Sequence, residues 1–171
     1  LSQYPTVYAG QRITTQLLSS MLPLFVRKVS DTNRAATTTF TDDPDLSITV
    51  EANAQYRVEF LIHYSSVAAA GFKTLWTVPS GATGLRACWG VDISPTSTSN
   101  PTGDGRWGIH AFATTVNYGT RDGTNQVMAW ETGDLVTTSA GTLALQWAQT
   151  TSNASSTRVA ARSYLRIERL A

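Results

Sequence analysis

One cysteine, Cys88, stands in 171 residues, so no disulfide can form within the chain. With only two histidines beside it, a four-ligand structural zinc site is out of reach unless carboxylates or a second subunit contribute. Cohesion must come from packing. Charge is scarce as well: 15% of residues are Asp, Glu, Lys or Arg, against roughly 25% in an average soluble protein. The 13 basic and 12 acidic side chains leave a net charge of +1, too little to hold nucleic acid electrostatically, and no nucleic-acid partner is expected. No run approaches the ~18 apolar residues that span a bilayer. The first residues also lack the basic-then-apolar order of a signal peptide, so neither a membrane nor export is expected. Catalytic signatures are missing too, with no G-x-S-x-G, H-E-x-x-H, P-loop or G-x-G-x-x-G. The expectation is a non-enzymatic chain with no catalytic residue, no cofactor and no metal site.

What is present is enough for one well-filled domain: 18.5 kDa, 42% hydrophobic. Near the amino end, Ile13, Leu17, Leu18, Met21 and Leu22 recur at spacings of three and four, which predicts a short amphipathic helix of about 9 to 12 residues ending at Pro23. A helix that short is marginal alone and must dock. Burying those five side chains would contribute on the order of 1.5–3 kcal/mol each wherever a complementary groove exists. Residues 1–23 therefore read as an arm with an anchoring helix, and 24–171 as a β-sandwich domain.

Beyond Pro23 the period becomes two. Strands are expected over 25–30, 36–41, 46–50, 55–64, 72–78, 85–91, 107–116, 126–138, 142–150 and 158–170, separated by Gly, Asn, Ser and Pro clusters. That cadence predicts an all-β, antiparallel sandwich. In the strand 55–64, Tyr56, Val58, Phe60, Ile62 and Tyr64 share a core face, leaving Arg57, Glu59 and His63 opposite. Glu59 and His63 are about 13 Å apart along such a strand, too far for an acid–base pair. Asp42, Asp43 and Asp45 are chemically suited to calcium but lack the Gly and distal Glu of an EF-hand loop, and read as a solvated turn.

Trp76, Trp89, Trp107, Trp130 and Trp147 all fall in strand candidates beside other apolar residues, which favours core packing over a sugar-stacking platform. Residues 94–105 form the longest stretch without apolar period and read as a contact loop. In the final strand, Arg158, Arg162, Tyr164, Arg166 and Glu168 share the even side and Val159, Leu165 and Ile167 the odd side. The even side reads either as a salt-bridged subunit contact or as a solvated sheet face.

Several runs resemble a family of small virion proteins of tailed bacteriophages that infect actinobacteria. They are Ala9-Gly10-Gln11-Arg12-Ile13-Thr14-Thr15-Gln16-Leu17-Leu18-Ser19-Ser20-Met21-Leu22-Pro23, Val26-Arg27-Lys28, Val50-Glu51-Ala52-Asn53-Ala54-Gln55-Tyr56, Trp76-Thr77-Val78-Pro79-Ser80-Gly81-Ala82 and Arg162-Ser163-Tyr164-Leu165-Arg166-Ile167-Glu168-Arg169-Leu170. That resemblance implies a virion location and a structural role, as capsid decoration or compact tail appendage. The passage from Ile48–Val50 into the aromatic strand Tyr56–Tyr64, and Gly133-Asp134-Leu135-Val136 opening a late strand, are similar to the C1q and tumour-necrosis-factor type of jelly roll. This second resemblance implies a jelly-roll body and a homotrimer. The expected assembly residues are Ile13, Leu17, Leu18, Met21, Leu22, Arg162, Tyr164 and Arg166. Other virion proteins are the expected partners, and a host surface glycan is the alternative.

Overall fold

The computed structural model describes residues 5–93 and 105–171. After the helix α1 (Thr15–Ser20) come twelve strands: β1 (Leu24–Arg27), β2 (Thr32–Arg34), β3 (Thr41–Val50), β4 (Ala54–Ser65), β5 (Phe72–Thr77), β6 (Thr83–Val91), β7 (Gly105–His110), β8 (Val116–Tyr118), β9 (Val127–Thr137), β10 (Gly141–Ala148), β11 (Thr157–Val159) and β12 (Tyr164–Arg169). Every strand of the first half pairs antiparallel with its mirror in the second: β1 with β12, β2 with β11, β3 with β10, β4 with β9, β5 with β8 and β6 with β7. The chain is thus one long antiparallel ribbon folded back on itself. Rolling the ribbon adds the pairings β12–β4, β10–β5 and β6–β9. Two sheets result, one running β1-β12-β4-β9-β6-β7 with β2 and β11 attached, the other β3-β10-β5-β8. A ribbon wrapped so that its halves interleave between two sheets is a jelly roll, and the expected all-β sandwich is what the chain forms.

The core lies between the sheets. On β4 the predicted face holds, with Val58, Phe60, Ile62 and Tyr64 wholly buried. Phe72 and Trp76 of β5 and Leu143, Leu145 and Trp147 of β10 meet them from the other sheet. The rings interlock: Tyr64 stacks on Phe72 at 4.2 Å, Phe60 tilts against Trp76 at 5.1 Å, and Trp76 stacks on Phe112 at 5.5 Å. Offset and tilted aromatic pairs of this kind add to the burial of their surface.

Several expectations are corrected. Residues 35–40 are not a strand; Ala36 sits at φ 52°, a left-handed conformation incompatible with a ladder. The Asp42–Asp45 cluster is not a loop turn but lies inside β3, where pairing to β10 jumps from Gln146↔Asp42 to Ala144↔Ser47. The intervening residues bulge out of register, a place where Pro44, lacking an N–H, is tolerated. The expected strand 107–116 divides into β7 and β8, and the last strand divides into β11 and β12. At that second break Arg162 adopts φ 73°, its N–H donates to the Lys28 carbonyl at 2.9 Å, and the Ser163 hydroxyl donates to Ala160 O at 2.8 Å. The helix is six residues, shorter than predicted, with Thr14 as its N-cap accepting from Leu17 N–H. Among the described residues no helix is long and apolar enough to cross a membrane.

Candidate functional site: the outer face of the large sheet

The two faces of the large sheet divide polar and apolar residues against expectation. On the inner face of β6 and β9, Arg86 and Glu131 are wholly buried. Glu131 sits opposite Phe60 in the β4–β9 register, so the pairing that places Val58, Phe60 and Ile62 inward carries the carboxylate inward too. Its environment is built to receive it. Oε1 accepts from Thr74 Oγ1 at 2.5 Å and from the Tyr118 hydroxyl at 2.7 Å, while Oε2 accepts from Trp76 Nε1 at 2.6 Å and from the Arg86 guanidinium. The second Arg86 amine donates to the carbonyls of Thr74 at 3.2 Å and Thr114 at 2.6 Å; only its Nε lacks a partner among the described residues. Gly90 makes room for Tyr118, since a Cβ there would stand 2.4 Å from its ring. Burial and the nearby carboxylate push the Tyr118 hydroxyl well above its usual range and the Cys88 thiol up to about 12.

A second interior ion cluster ties the entry of the domain to β3. Lys28, wholly buried, donates to Asp43 Oδ1 and Asp45 Oδ2 at 2.9 Å each and to Thr32 Oγ1 at 2.7 Å. Asp43 also accepts from the N–H groups of Asp45 and Leu46 and, through Oδ2, from Trp147 Nε1 at 3.0 Å. The expected solvated turn is therefore a bulged stretch of β3 in which Asp43 is buried and held by a lysine fifteen residues upstream, while Asp42 is exposed. Both oxygens of the buried carboxylates Glu131 and Asp43 accept hydrogen bonds, whereas the part-exposed Asp45 is held through Oδ2 by Lys28. Among the described residues no group of three His, Cys, Asp or Glu is arranged to hold a metal ion.

The outer face is where the tryptophans went. Trp76 and Trp147 are core residues as expected, but Trp89 and Trp130 are more than a third exposed and Trp107 is 72% exposed. Core packing for those three is corrected. Side chains alternate on a strand, so placing Arg86, Cys88 and Glu131 inside sends Trp89 and Trp130 out. Cross-strand register then aligns them: Arg27, Tyr164, Leu61, Trp130, Trp89 and Trp107 stand opposite one another on β1, β12, β4, β9, β6 and β7. Five strand spacings make this a belt about 24 Å long. Trp89 and Trp130 lie 5.2 Å apart, and Phe25, itself 57% exposed, stacks on Tyr164 at 4.7 Å. Ile109 (71% exposed), Met128 and Leu85 widen the apolar surface. Beside it is a broad, shallow depression of about 480 Å³ floored by Leu85, Ala87, Ile109 and Leu170, with Arg57 and Asp134 on its rim.

Towards β1 the same face is polar. Tyr164 donates to Glu59 at 2.8 Å, and Arg166 lies 3.8 Å from both Glu59 and Glu168. Burial, then the Glu59 contact, raises the Tyr164 pKa. His63 is also on this face, its pKa lowered by desolvation and by Arg162. Of the expected assembly residues, Tyr164 and Arg166 lie on the outer face. Arg162 does not; it lies in the turn before β12, and the single stripe with Arg158 is broken there. Arg158 instead bridges to Asp31 at 3.3 Å and donates to Thr124 O at 2.8 Å. On the arm, Leu17 is half-buried, whereas Ile13, Leu18, Met21 and Leu22 are each 46–67% exposed. Apart from Gly105, which opens β7, the expected contact loop 94–105 lies outside the described residues. Sequence reasoning missed the belt because Trp beside Val or Met on one strand face has the pattern of a core.

No protein-family model matches this chain, and no curated protein matches it. Among solved structures, the crystal structure of the infectious bursal disease virus VP2 subviral particle is similar over 88% of this chain and 37% of that one, at 9% identity and a TM-score of 0.23. The structure of the infectious bursal disease virus Gx strain is similar over 85% and 40%, at 8% identity and a TM-score of 0.20. The chain spans less than half the length of either, and a likeness this weak identifies no function.

Proposed function

We propose that this chain is a non-enzymatic structural protein of a virus particle, present as a self-associated surface component, with a trimer as its unit. The observation that carries the reading is the uncovered aromatic belt. At its β7 end Trp107, Ile109, Leu85, Met128, Trp89 and Trp130 form an exposed apolar patch of the kind that marks an interaction site, and the face around it is charge-balanced: Arg27, Arg57 and Arg166 against Glu59, Asp134 and Glu168. A balanced face meets a copy of itself without repulsion, whereas a polyanionic partner would be matched by an excess of one sign. The virion setting and the trimer rest on the sequence resemblances given above. The engagement of both oxygens of Glu131 and Asp43 by donors supports the non-enzymatic part. The arm, which exposes Ile13, Leu18, Met21 and Leu22 as well as Val7 and Tyr8, is the proposed attachment to neighbouring virion proteins.

Sedimentation of the purified chain tests self-association: a concentration-dependent oligomer that Trp107→Ser dissociates supports it, and a monomer at all concentrations overturns it. Placing the chain in a density map of the intact particle distinguishes shell from tail. A second reading, a glycan-binding head, is favoured by Trp107 alone, whose indole is exposed enough to stack on a sugar ring. Glycan-array binding abolished by Trp107→Ala, with the oligomer intact, would select it.

A further inference from the structure

The two wholly buried cations of this chain, Arg86 and Lys28, differ in chemistry. A guanidinium stays protonated and is no nucleophile, whereas a lysine amine becomes one on losing a proton. Lys28 and its partner Asp43 both have side chains without solvent exposure, and Nζ stands 2.9 Å from Asp43 Oδ1. The carboxyl carbon is one bond beyond that oxygen, which brings it near the about 3–3.5 Å separation of a near-attack contact. Both partners are held in place. The Lys28 N–H donates to Ser163 O at 2.8 Å, and its carbonyl accepts from the Arg162 N–H at 2.9 Å. In the β3 bulge, Asp43 Oδ1 accepts the N–H groups of Asp45 at 3.0 Å and Leu46 at 3.1 Å, and Oδ2 accepts the Trp147 indole N–H at 3.0 Å. The other hydrogen bonds of Nζ run to Thr32 Oγ1 at 2.7 Å and Asp45 Oδ2 at 2.9 Å. Asp45 is thus a second carboxylate on the same nitrogen, and its side chain is 29% exposed. The sequence closes a competing route: an aspartate can cyclise onto the backbone N–H of the next residue, but residue 44 is proline and has none.

We propose that Lys28 and Asp43 condense within the folded chain to an isopeptide bond, with Asp45 as the catalytic carboxylate. A proton passes from Nζ to Asp43 Oδ1 along their hydrogen bond, which removes both charges from an interior that solvates neither. The freed lone pair of Nζ attacks Cγ, and the negative charge developing on Oδ2 is met by the Trp147 N–H, as in an oxyanion hole. Asp45 Oδ2 takes a second proton from the nitrogen and delivers it to Oδ1. That oxygen leaves as water on the side where Asp45 reaches solvent, and the C=O bond to Oδ2 re-forms. Of the three ammonium protons, two depart in the water and one stays on the amide nitrogen. Asp45 ends as it began, and no oxidant or cofactor is consumed. The bond ties the residue after β1 directly to β3. β1 is an edge strand of four residues, so a pull on the arm that peels it from β12 is stopped at residue 28. This inference is independent of the function proposed above.

Intact-mass spectrometry of the folded full-length chain tests it. The expected mass is that of the sequence less one water, with a tryptic digest in which Lys28 is uncut and residues 28–34 are joined to residues 35–57. Lys28→Arg keeps the charge but not the nucleophile and should have the full sequence mass. Asp45→Asn keeps a polar group beside Nζ and should slow bond formation, followed from cell-free synthesis, by about a hundredfold. A native chain at full sequence mass overturns the proposal. So does a lost water that leaves Lys28 open to trypsin, or one that persists in Lys28→Arg. An Asp45→Asn chain that links as fast as the native one overturns the catalytic assignment of Asp45.

Discussion

Strands β6 and β9 have two faces with reversed chemistry. Inside are Arg86, Cys88 and Glu131, all 2% exposed or less; outside are Trp89, Trp130 and Met128, each more than a third exposed. The inner face keeps its charges because it satisfies them: four donors converge on one carboxylate, and the guanidinium reaches two carbonyls. The outer face leaves its rings exposed because alternation along β6 and β9 sends them out once Arg86, Cys88 and Glu131 are inside. If the outer face is the assembly surface proposed above, stability and assembly lie on opposite sides of the same two strands, and changes on each side should separate them.

The largest effect belongs inside. Glu131→Ala strands the Arg86 charge and leaves Trp76, Thr74 and Tyr118 donors without an acceptor, and breaking a buried pair in this way costs about 3–5 kcal/mol. Chemical denaturation should show that loss; a decrease under about 1 kcal/mol would mean the cluster is not a structural centre. Next is Cys88. With its thiol pushed from 9 up to about 12, the thiolate fraction at pH 8 falls roughly a thousandfold, so a thiol reagent should modify the folded chain at least that much more slowly than the unfolded one. Rapid modification under native conditions would show that the inner face opens to solvent.

On the outer face, Trp107→Ser should change unfolding free energy by less than about 1 kcal/mol, as exposed positions do, while sedimentation shows the oligomer dissociating. A large stability loss would erase the distinction between the faces. The smallest effect is expected at the polar end: Arg166→Ala removes two contacts at 3.8 Å from a side chain 41% exposed, worth about 0–1 kcal/mol. The sign for His63 is also defined. Its folded pKa lies below the ordinary value, so the unfolded chain takes up protons first, and stability should decline as pH falls below about 6.5, a slope that His63→Asn removes.

Much of the fold was legible from residues. Alternation in β4 identified its core face correctly because one face carries five large apolar side chains and the other carries charges. The turn clusters separated most strands for the same local reason: glycine, proline and asparagine stop a ladder wherever they stand. β6 was illegible because both of its faces are plausible cores; Leu85, Ala87 and Trp89 are more apolar than Arg86 and Cys88, yet they point outward. The ion cluster at Lys28 was equally hidden, its acids lying fifteen and seventeen residues downstream inside a bulge that no local pattern announces. Arg162 was assigned to a strand face because periodicity cannot register a single residue with positive φ.

By itself the sequence determined the class of structure: alternating strands, a short apolar arm, no disulfide to staple it, and therefore a packed antiparallel sandwich. Only the tertiary structure decided which side of each strand became interior. That choice depends on register, which is shared between strands distant in the chain, and moving by one residue exchanges every side chain between core and surface. Phe60 and its neighbours fixed the register of β9, Glu131 followed them in, and the tryptophans were left outside.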